Sequence, residues 1–267
     1  MQVVIAESAQ EVAQLGTDHI SKLIAKKQNA VLGLATGSTP IAIYQQLISR
    51  HQQGLLSFKQ THSFNLDEYI GIDGEHHQSY RHFMNRQLFN HIDIDINNTH
   101  IPDGMADPAQ EAERYEALID DLGGIDLQLL GLGSNGHIGF NEPCSSLGSK
   151  TRIKTLTPET LRDNQRFFAD NEFQPTLAIT MGIGTILEAR KALLLATGNA
   201  KAEAVRLMVE GPLSASCPAS ALQMHPHAVV IVDPEAGALL THHEYYQRVR
   251  TETDQLAVAT SAMDQIR

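Results

Sequence analysis

The chain has 267 residues and a formal net charge of −11 at pH 7. This acidic balance argues against a nucleic-acid groove or an anionic membrane surface as the main partner, because both require a dense basic patch. A small anionic molecule stays possible, since it needs only a few local donors. No linker or charge block divides the sequence, which therefore predicts a single domain over residues 1–267.

Only two cysteines occur, Cys144 and Cys217, without the spacing of a disulfide framework or a zinc knuckle. We therefore expect a reducing, cytoplasmic environment. The first residues lack the basic-then-apolar order of a signal peptide, and no apolar run approaches the roughly 20 residues needed to span a bilayer. These features predict a soluble protein that is not exported.

Short apolar runs alternate with amphipathic stretches, as in parallel strands joined by crossover helices. The pattern predicts a Rossmann-like α/β fold, with an open, mostly parallel sheet and helices on both faces. Helix starts are indicated by Ser8 with Glu11 and by Thr39, Asp107 and Thr157, each followed by proline. The predicted strands are Val31 to Ala35, His62 to Leu66, Asp126 to Leu130, Thr176 to Thr180, Ala192 to Thr197 and Ala228 to Val232.

The loop after the first of these strands reads LATGSTP and contains Gly37, Ser38 and Thr39. Free amides and hydroxyls would meet the positive end of a helix dipole there, which suits a phosphate monoester. An ordinary turn in which Thr39 caps the helix is the alternative. The lysine of a nucleotide-binding P-loop is missing, so ATP is not implied.

The segment FNLDEYIG places Asp67 and Glu68 after the second strand. Neighbouring residues of an extended chain point to opposite sides, so at most one faces a ligand cleft. We expect one carboxylate to be functional and the other structural. A carboxylate at this position can remove a proton α to a carbonyl. A pair of solvated turn acids is the alternative.

The segment GLGSNGHIGFNEP contains the dinucleotide fingerprint GxGxxG, but Gly139 and Pro143 prevent the helix that the fingerprint must open. Asn135, His137 and Glu142 remain as a plausible general acid/base assembly, with a purely structural histidine as the alternative. No HExxH or similar ligand spacing occurs, so we expect neither a metal nor a cofactor.

The ordered set of motifs resembles the glucosamine-6-phosphate deaminase family over nearly the whole chain. The matching segments read LATGSTP, FNLDEYIG, HQSYRHFM, GLGSNGHIGFNEP, SSLGSKTRIKTLT, NQRFF and ASALQMHP. The looser family, with 6-phosphogluconolactonases and the effector domains of some repressors, shares the fold but not this full set. The resemblance implies deamination of glucosamine 6-phosphate to fructose 6-phosphate, without a redox cofactor or metal. A lactonase or a non-catalytic sugar-phosphate sensor is the alternative function.

The same resemblance implies roles for the motif residues. His137 opens the sugar ring, with Asn135 and Glu142 orienting it, and Asp67 moves a proton from C2 to C1. Some family members have aspartate at the position of Asn135, and a neutral amide stabilises an imidazolium less than a carboxylate does. The substrate phosphate is implied to bind five residues, namely Gly37, Ser38, Thr39, Arg166 and Lys201.

In SKTRIKTLT the cations Lys150, Arg152 and Lys154 alternate with neutral residues, so an extended segment would carry them on one face. A solvated basic edge is the plain interpretation. In allosteric members of the family, however, matching residues bind N-acetylglucosamine 6-phosphate between subunits. These residues are Ser145, Arg152, Lys154 and Thr155, completed by a tyrosine near the C-terminus that corresponds to Tyr246 or Tyr245. The resemblance thus implies a homo-oligomer, with a hexamer expected, and a mobile lid at about residues 150–180.

Overall fold

The computed structural model describes residues 1–165 and 173–252. Within this part of the chain the strands are short, and most are apolar. They are β1 (Gln2–Ile5), β2 (Val31–Leu34), β3 (His62–Asn65), β4 (Asp67–Tyr69), β5 (Thr99–His100), β6 (Leu127–Leu130), β7 (Arg152–Thr155), β8 (Leu177–Thr180), β9 (Ala192–Ala196) and β10 (Ala228–Val232).

Helices connect most of these strands. They are α1 (Ala9–Lys26), α2 (Ile41–Gln52), α3 (Tyr80–Gln87), α4 (Pro108–Asp121), α5 (Pro158–Gln165), α6 (Ile183–Glu188) and α7 (Ala202–Val209), with a further helix over residues 243–252. Short 3-10 turns cover Phe89–His91, Ile96–Asn98, Asn199–Lys201 and Pro218–Met224. None of the helices in the described part of the chain combines the length and the apolar character that crossing a bilayer requires.

Seven strands form one parallel sheet in the order β1-β10-β9-β6-β2-β3-β5. Strands β9 and β10, with the sequences ALLLA and AVVIV, are buried at every position, as expected for strands covered on both faces. The predicted Rossmann-like fold is therefore confirmed. The strand order reverses between β2 and β6, and ligands of such sheets bind beyond the carboxyl ends of the strands at this point.

Helix starts follow the capping signals in three places. Ser8, Asp107 and Thr157 each accept hydrogen bonds from backbone amides in the first turn of a helix. Beside Ser8, the carboxylate of Glu11 accepts from the amide of Glu7, so the capping box is only half formed. Local side-chain chemistry thus sets the start of α1, α4 and α5.

One predicted strand belongs elsewhere. The apolar run from Thr176 to Thr180 was expected in the parallel sheet, but β8 is the middle strand of a separate antiparallel sheet in the order β4-β8-β7. A short apolar run fits the centre of either kind of sheet, so periodicity alone could not assign it. The small sheet brings Asp67 and the basic segment around Arg152 into one structural unit.

Candidate active site

Four predicted loops meet at one edge of the central sheet. They follow β9, β6, β2 and β3, which are consecutive neighbours in the sheet. Because these strands are parallel, their carboxyl ends lie side by side. The sheet order therefore brings the candidate phosphate loops and the candidate proton-transfer residues to a common edge.

The loop after β2 leaves the start of α2 open. Helix α2 begins at Ile41, with Pro40 in the cap position and no side-chain cap, so the prediction of a Thr39 cap before proline is wrong. Gly37 has φ of +98°, which side chains rarely tolerate, and it turns the chain out of the strand. The hydroxyl of Tyr44 donates to the carbonyl of Ala35 and anchors the turn. Uncapped amides at a helix start suit an anion.

Lys201 lies at the carboxyl end of β9, in the 3-10 turn Asn199–Lys201 that leads into α7. Both carboxylate oxygens of Asp233 accept from the amide of Gly198 at 3.0 Å and hold this turn against the end of β10. Helix α7 therefore begins directly after Lys201. Arg166, the other predicted cation, lies outside the described residues.

Asp67 is the buried carboxyl of the site, with 6% of its surface exposed. Burial, reinforced by the nearby charge of Glu68, raises its pKa to about 8, although a backbone hydrogen bond from Phe140 acts in the opposite direction. A carboxyl with such a pKa exchanges its proton close to neutral pH, as a general base must. The contact with Phe140 also places Asp67 against the histidine loop.

Glu68 serves the fold. Its carboxylate accepts from the hydroxyl of Ser79 at 2.8 Å and from the amides of Tyr80 and Arg81 at 3.0 and 3.1 Å, at the start of α3. Four hydrogen bonds, including one from its neighbour Tyr69, leave it no role in an open cleft. The expected split between the two adjacent acids is confirmed for Glu68.

The histidine loop joins the three predicted residues through hydrogen bonds. His137 Nδ1 lies 2.7 Å from Asn135 Oδ1, and Asn135 Nδ2 donates to Glu142 Oε2 at 3.0 Å. An ionised Glu142 can only accept, which fixes the orientation of the Asn135 amide and makes Nδ1 of His137 a donor. The lone pair of a neutral His137 then lies on Nε2, and with 26% of its side chain exposed the ring is accessible to a ligand.

Gly133 makes room for the imidazole. A Cβ atom at this position would lie 2.3 Å from His137 Cε1 and Nδ1. The amide of Gly133 also donates to the carbonyl of His137 at 2.9 Å. The second glycine of GLGSNG therefore allows close packing of a side chain, and no dinucleotide is needed to explain it.

Glu142 is buried but strongly hydrogen-bonded. Burial opposes its ionisation, yet the nearby His137, whose Nδ1 lies 3.5 Å from Oε2, and hydrogen bonds from Thr160 and Asn135 outweigh this penalty and hold its pKa at about 2. Its second oxygen accepts from the hydroxyls of Thr160 and, at 3.3 Å, Thr157. Neither threonine was predicted as part of the site, and the cap position of Thr157 was the only available signal.

The candidate effector residues are only partly grouped. Arg152 and Lys154 alternate with more exposed neighbours on β7, so the predicted shared face is confirmed for these two cations. The buried hydroxyl of Ser145 has no hydrogen-bond partner among the described residues. Thr155 ends β7, whereas the hydroxyl of Tyr246 donates to Glu210 at 2.9 Å. Tyr245 is 64% exposed.

Residues 5–231 match the family described as glucosamine-6-phosphate isomerases/6-phosphogluconolactonase. A glucosamine-6-phosphate deaminase of Hahella chejuensis is 63% identical over 95% of this chain and 97% of its own length. One of Colwellia psychrerythraea is 59% identical over 92% of each chain. The solved structure of a monomeric glucosamine-6-phosphate deaminase has a TM-score of 0.86 and 45% identity, covering 90% of this chain and 100% of its own. The 6-phosphogluconolactonase of Trypanosoma cruzi, with a TM-score of 0.73 and 20% identity over 90% and 97%, shares the fold.

Proposed function

Because the chain belongs to the family of glucosamine-6-phosphate isomerases and 6-phosphogluconolactonases, we propose that it converts glucosamine 6-phosphate and water to fructose 6-phosphate and ammonia. The observation that carries the proposal is that Asp67 packs against the loop that contains a second, different proton-transfer group, His137. Asp67, whose pKa is raised to about 8, accepts from Phe140 in the loop that also holds His137. An isomerisation coupled to deamination needs both groups, one for the ring and one for C2.

The phosphate of the substrate binds at the start of α2. Its oxygens accept from the uncapped amides and from the hydroxyls of Ser38 and Thr39, while Gly37 lets the backbone approach closely. Lys201 contributes a positive charge from the end of β9, and Arg166 is assigned the same role from its motif. This anchor places the carbons of the sugar towards the histidine loop and Asp67.

His137 then opens the pyranose ring. Its Nδ1 is committed to Asn135 at 2.7 Å, so Nε2 takes the proton of the anomeric hydroxyl and returns a proton to the ring oxygen. The ring C–O bond breaks and the C1 aldehyde forms. The ionised Glu142, held by Asn135, stabilises the transient imidazolium.

Asp67 carries out the next step in its ionised form. It removes the proton from C2, the electron pair forms a C1–C2 double bond, and the aldehyde oxygen takes a proton, giving an enolamine. Asp67 returns its proton to C1, which leaves an imine at C2. Water adds to this imine and ammonia departs, so that the ketone of fructose 6-phosphate remains.

A lactonase makes less use of this arrangement. Hydrolysis of 6-phosphogluconolactone requires the phosphate anchor and one general base, but no proton transfer at C2. Asp67, a carboxyl with a pKa near 8 beside the histidine loop, would then have no role in the reaction. The solved lactonases, at about 20% identity, support a common fold and nothing finer.

We further propose that N-acetylglucosamine 6-phosphate activates the enzyme at Ser145, Arg152, Lys154 and Thr155 in a homo-oligomer, with a hexamer favoured. Since Tyr246 donates to Glu210 within its own chain, a second copy would complete this site with the exposed Tyr245 or with a Tyr246 released from Glu210. The contacts of Thr157 and Thr160 with Glu142 support a lid function for residues 150–180. Sedimentation velocity distinguishes a hexamer from a monomer. Hyperbolic saturation curves that ignore N-acetylglucosamine 6-phosphate would contradict the regulatory proposal.

The central test is a product assay. Purified protein is incubated with glucosamine 6-phosphate, and ammonia and fructose 6-phosphate are measured together; equal amounts of both are expected. A parallel incubation with 6-phosphogluconolactone tests the rival activity. Release of phosphogluconate without ammonia from the amino sugar would overturn the proposal in favour of the lactonase. The cytoplasmic location stays a prediction that cell fractionation checks.

A further inference from the structure

A buried amide lies where the histidine loop, β8 and the basic strand β7 meet. The side chain of Asn141 is fully buried, with 0% of its surface exposed. Its Nδ2 donates to the carbonyls of Ile138 and Met181 at 2.9 and 2.8 Å, and its Oδ1 accepts from Arg152 Nη1 at 2.9 Å. The guanidinium can only donate, so this set of partners fixes the orientation of the amide.

The two carbonyls lead to the two proton-transfer groups. Ile138 directly follows His137 in the chain. The amide of Met181 donates to the carbonyl of Leu66 at 2.6 Å, and Leu66 directly precedes Asp67. One side chain therefore connects the backbone next to the ring-opening histidine with the backbone next to the C2 base.

A cross-strand row connects the same groups through the small sheet. Thr180 pairs directly with Asp67 on one side and with Arg152 on the other, and side chains of paired residues lie on the same face. The hydroxyl of Thr180 accepts from the amide of Phe140 at 3.1 Å. The catalytic base and the basic strand thus lie two strands apart on one surface.

The histidine loop packs tightly onto this surface. A Cβ atom at Gly139 would lie 3.1 Å from the hydroxyl of Thr180 and 3.2 Å from Asp67 Oδ2. The absence of a side chain at Gly139 therefore lets the loop approach both the hydroxyl and the carboxylate closely. Close-packed elements transmit displacements, so a change at β7 would reach Asp67 and His137 together.

We propose that Asn141 is a positioning residue that sets the placement of His137 relative to Asp67, and that its bond with Arg152 is the link through which β7 acts on both. This inference rests on the proposed deamination. Loss of the amide leaves two buried carbonyls and a guanidinium without their partner, a strong penalty in a dry site. The site would relax by moving the loop, and small displacements of reacting groups cost large factors in rate.

The test compares two matched changes from amide to leucine. Asn141→Leu is expected to lower kcat for glucosamine 6-phosphate by about 10- to 100-fold while KM changes much less, because the phosphate anchor is untouched. The acidic limb of the pH profile should move to higher pH, since Phe140, the donor to Asp67, directly precedes Asn141. Gln128→Leu removes another buried amide, which donates to Leu129 within β6, and should leave kcat within about twofold and the limb in place.

Arg152→Gln tests the link. Alone it should lower kcat, and combined with Asn141→Leu it should add little, because both changes break one connection. The inference would be overturned if the double variant lost kcat by the product of the two single losses. A native kcat and pH profile in Asn141→Leu would also overturn it. If this variant does not fold, Asn141→Asp, which keeps the size and the acceptor for Arg152 but loses both donors, carries the same expectation. Absence of ammonia release by the native protein would instead refute the proposed function, so the two failures are distinguishable.

Discussion

The two acids of the candidate site, Asp67 and Glu142, are both buried, but their pKa values shift in opposite directions. Burial and the nearby charge of Glu68 raise the pKa of Asp67 to about 8, although a backbone hydrogen bond from Phe140 opposes this shift. Glu142 is penalised by burial as well, but hydrogen bonds from His137 and two further side chains hold its pKa at about 2. At Glu142 the hydrogen bonds and the nearby His137 outweigh the penalty of burial, whereas at Asp67 one backbone donor does not.

The difference separates a proton carrier from a fixed anion. Asp67 gains and loses a proton near neutral pH, which suits a group that takes a proton from one carbon and returns it to another. Glu142 keeps its charge throughout the physiological range and therefore orients His137 without taking part in the transfer. Changing each acid to its amide should consequently have opposite effects on stability.

Asp67→Asn should have the largest effect on activity. Without the base, ammonia release should fall by at least about 1,000-fold, whereas the phosphate anchor should still bind the substrate. The folded-state pKa of Asp67 is raised, so its contribution to stability is complete at low pH and is lost as pH rises from about 4 through about 8. The asparagine variant should thus have a higher Tm than the native protein, more so at pH 8.5 than at pH 5.

Rapid-quench ammonia assays and calorimetry at the two pH values measure these effects. Calorimetric titration with glucosamine 6-phosphate serves as the control for binding. Residual activity within tenfold of native would remove Asp67 from the mechanism. A Tm difference between the variant and the native protein that is the same at both pH values would refute the raised pKa.

Glu142→Gln should lower activity by about 100-fold and, in contrast to the first variant, destabilise the protein. The folded-state pKa of Glu142 is depressed, so its stabilisation is present above the unfolded pKa and is lost only as pH falls towards about 2. The variant should therefore melt below the native protein at pH 7, by roughly 2–4 °C for each kcal/mol. A Tm equal to or above that of the native protein would refute the prediction that the two acids affect stability in opposite directions. As a control, Glu203→Gln removes an exposed carboxylate that pairs with Arg206 on the protein surface.

Sequence patterns predicted the sheet better than the site. Strands β9 and β10 are continuous apolar runs, and their predicted bounds agree within one residue at each end. Strands β4 and β7 are short and polar, and they exist only because β8 lies between them. The partners of these strands are far away in the sequence, and no local pattern indicates which segments pair. The antiparallel sheet was therefore not predicted.

The same limit applies to the chemistry. The alternation of side chains was enough to predict that Asp67 and Glu68 have different roles, because it is a property of adjacent residues, but the family resemblance was needed to choose Asp67 as the base. The raised pKa of Asp67 depends on burial and on the charge of Glu68, and the extent of burial is set by the tertiary structure, which no motif displays. Asn141 lies within the recognised motif FNEP, but its proposed role follows from its hydrogen bonds with Arg152 on β7 and with Met181 directly after β8.

The pH dependence of kcat/KM gives a finer test of the environment of Asp67. Activity should rise with pH through about 8 as the free enzyme loses the proton of this carboxyl. Glu68→Gln removes the neighbouring negative charge and should move this limb to lower pH by up to about one unit. Stopped assays from pH 6 to pH 9.5 with a coupled measurement of fructose 6-phosphate follow the limb. A shift to higher pH in the glutamine variant would contradict the electrostatic account.

The smallest effect should separate the two threonines that donate to Glu142. Thr160 makes the closer hydrogen bond, and the hydroxyl of Thr157 lies 3.3 Å from the same oxygen. Thr160→Val should lower kcat by about tenfold, which corresponds to about 1.5 kcal/mol for one hydrogen bond to a charged group, whereas Thr157→Val should change it by less than about twofold. Both changes keep the shape of the side chain, so each controls for the other. Equal effects would mean that the threonines act through the start of α5, because Thr157 also caps that helix, and the fixed anion would then owe its low pKa to His137 and Asn135 alone.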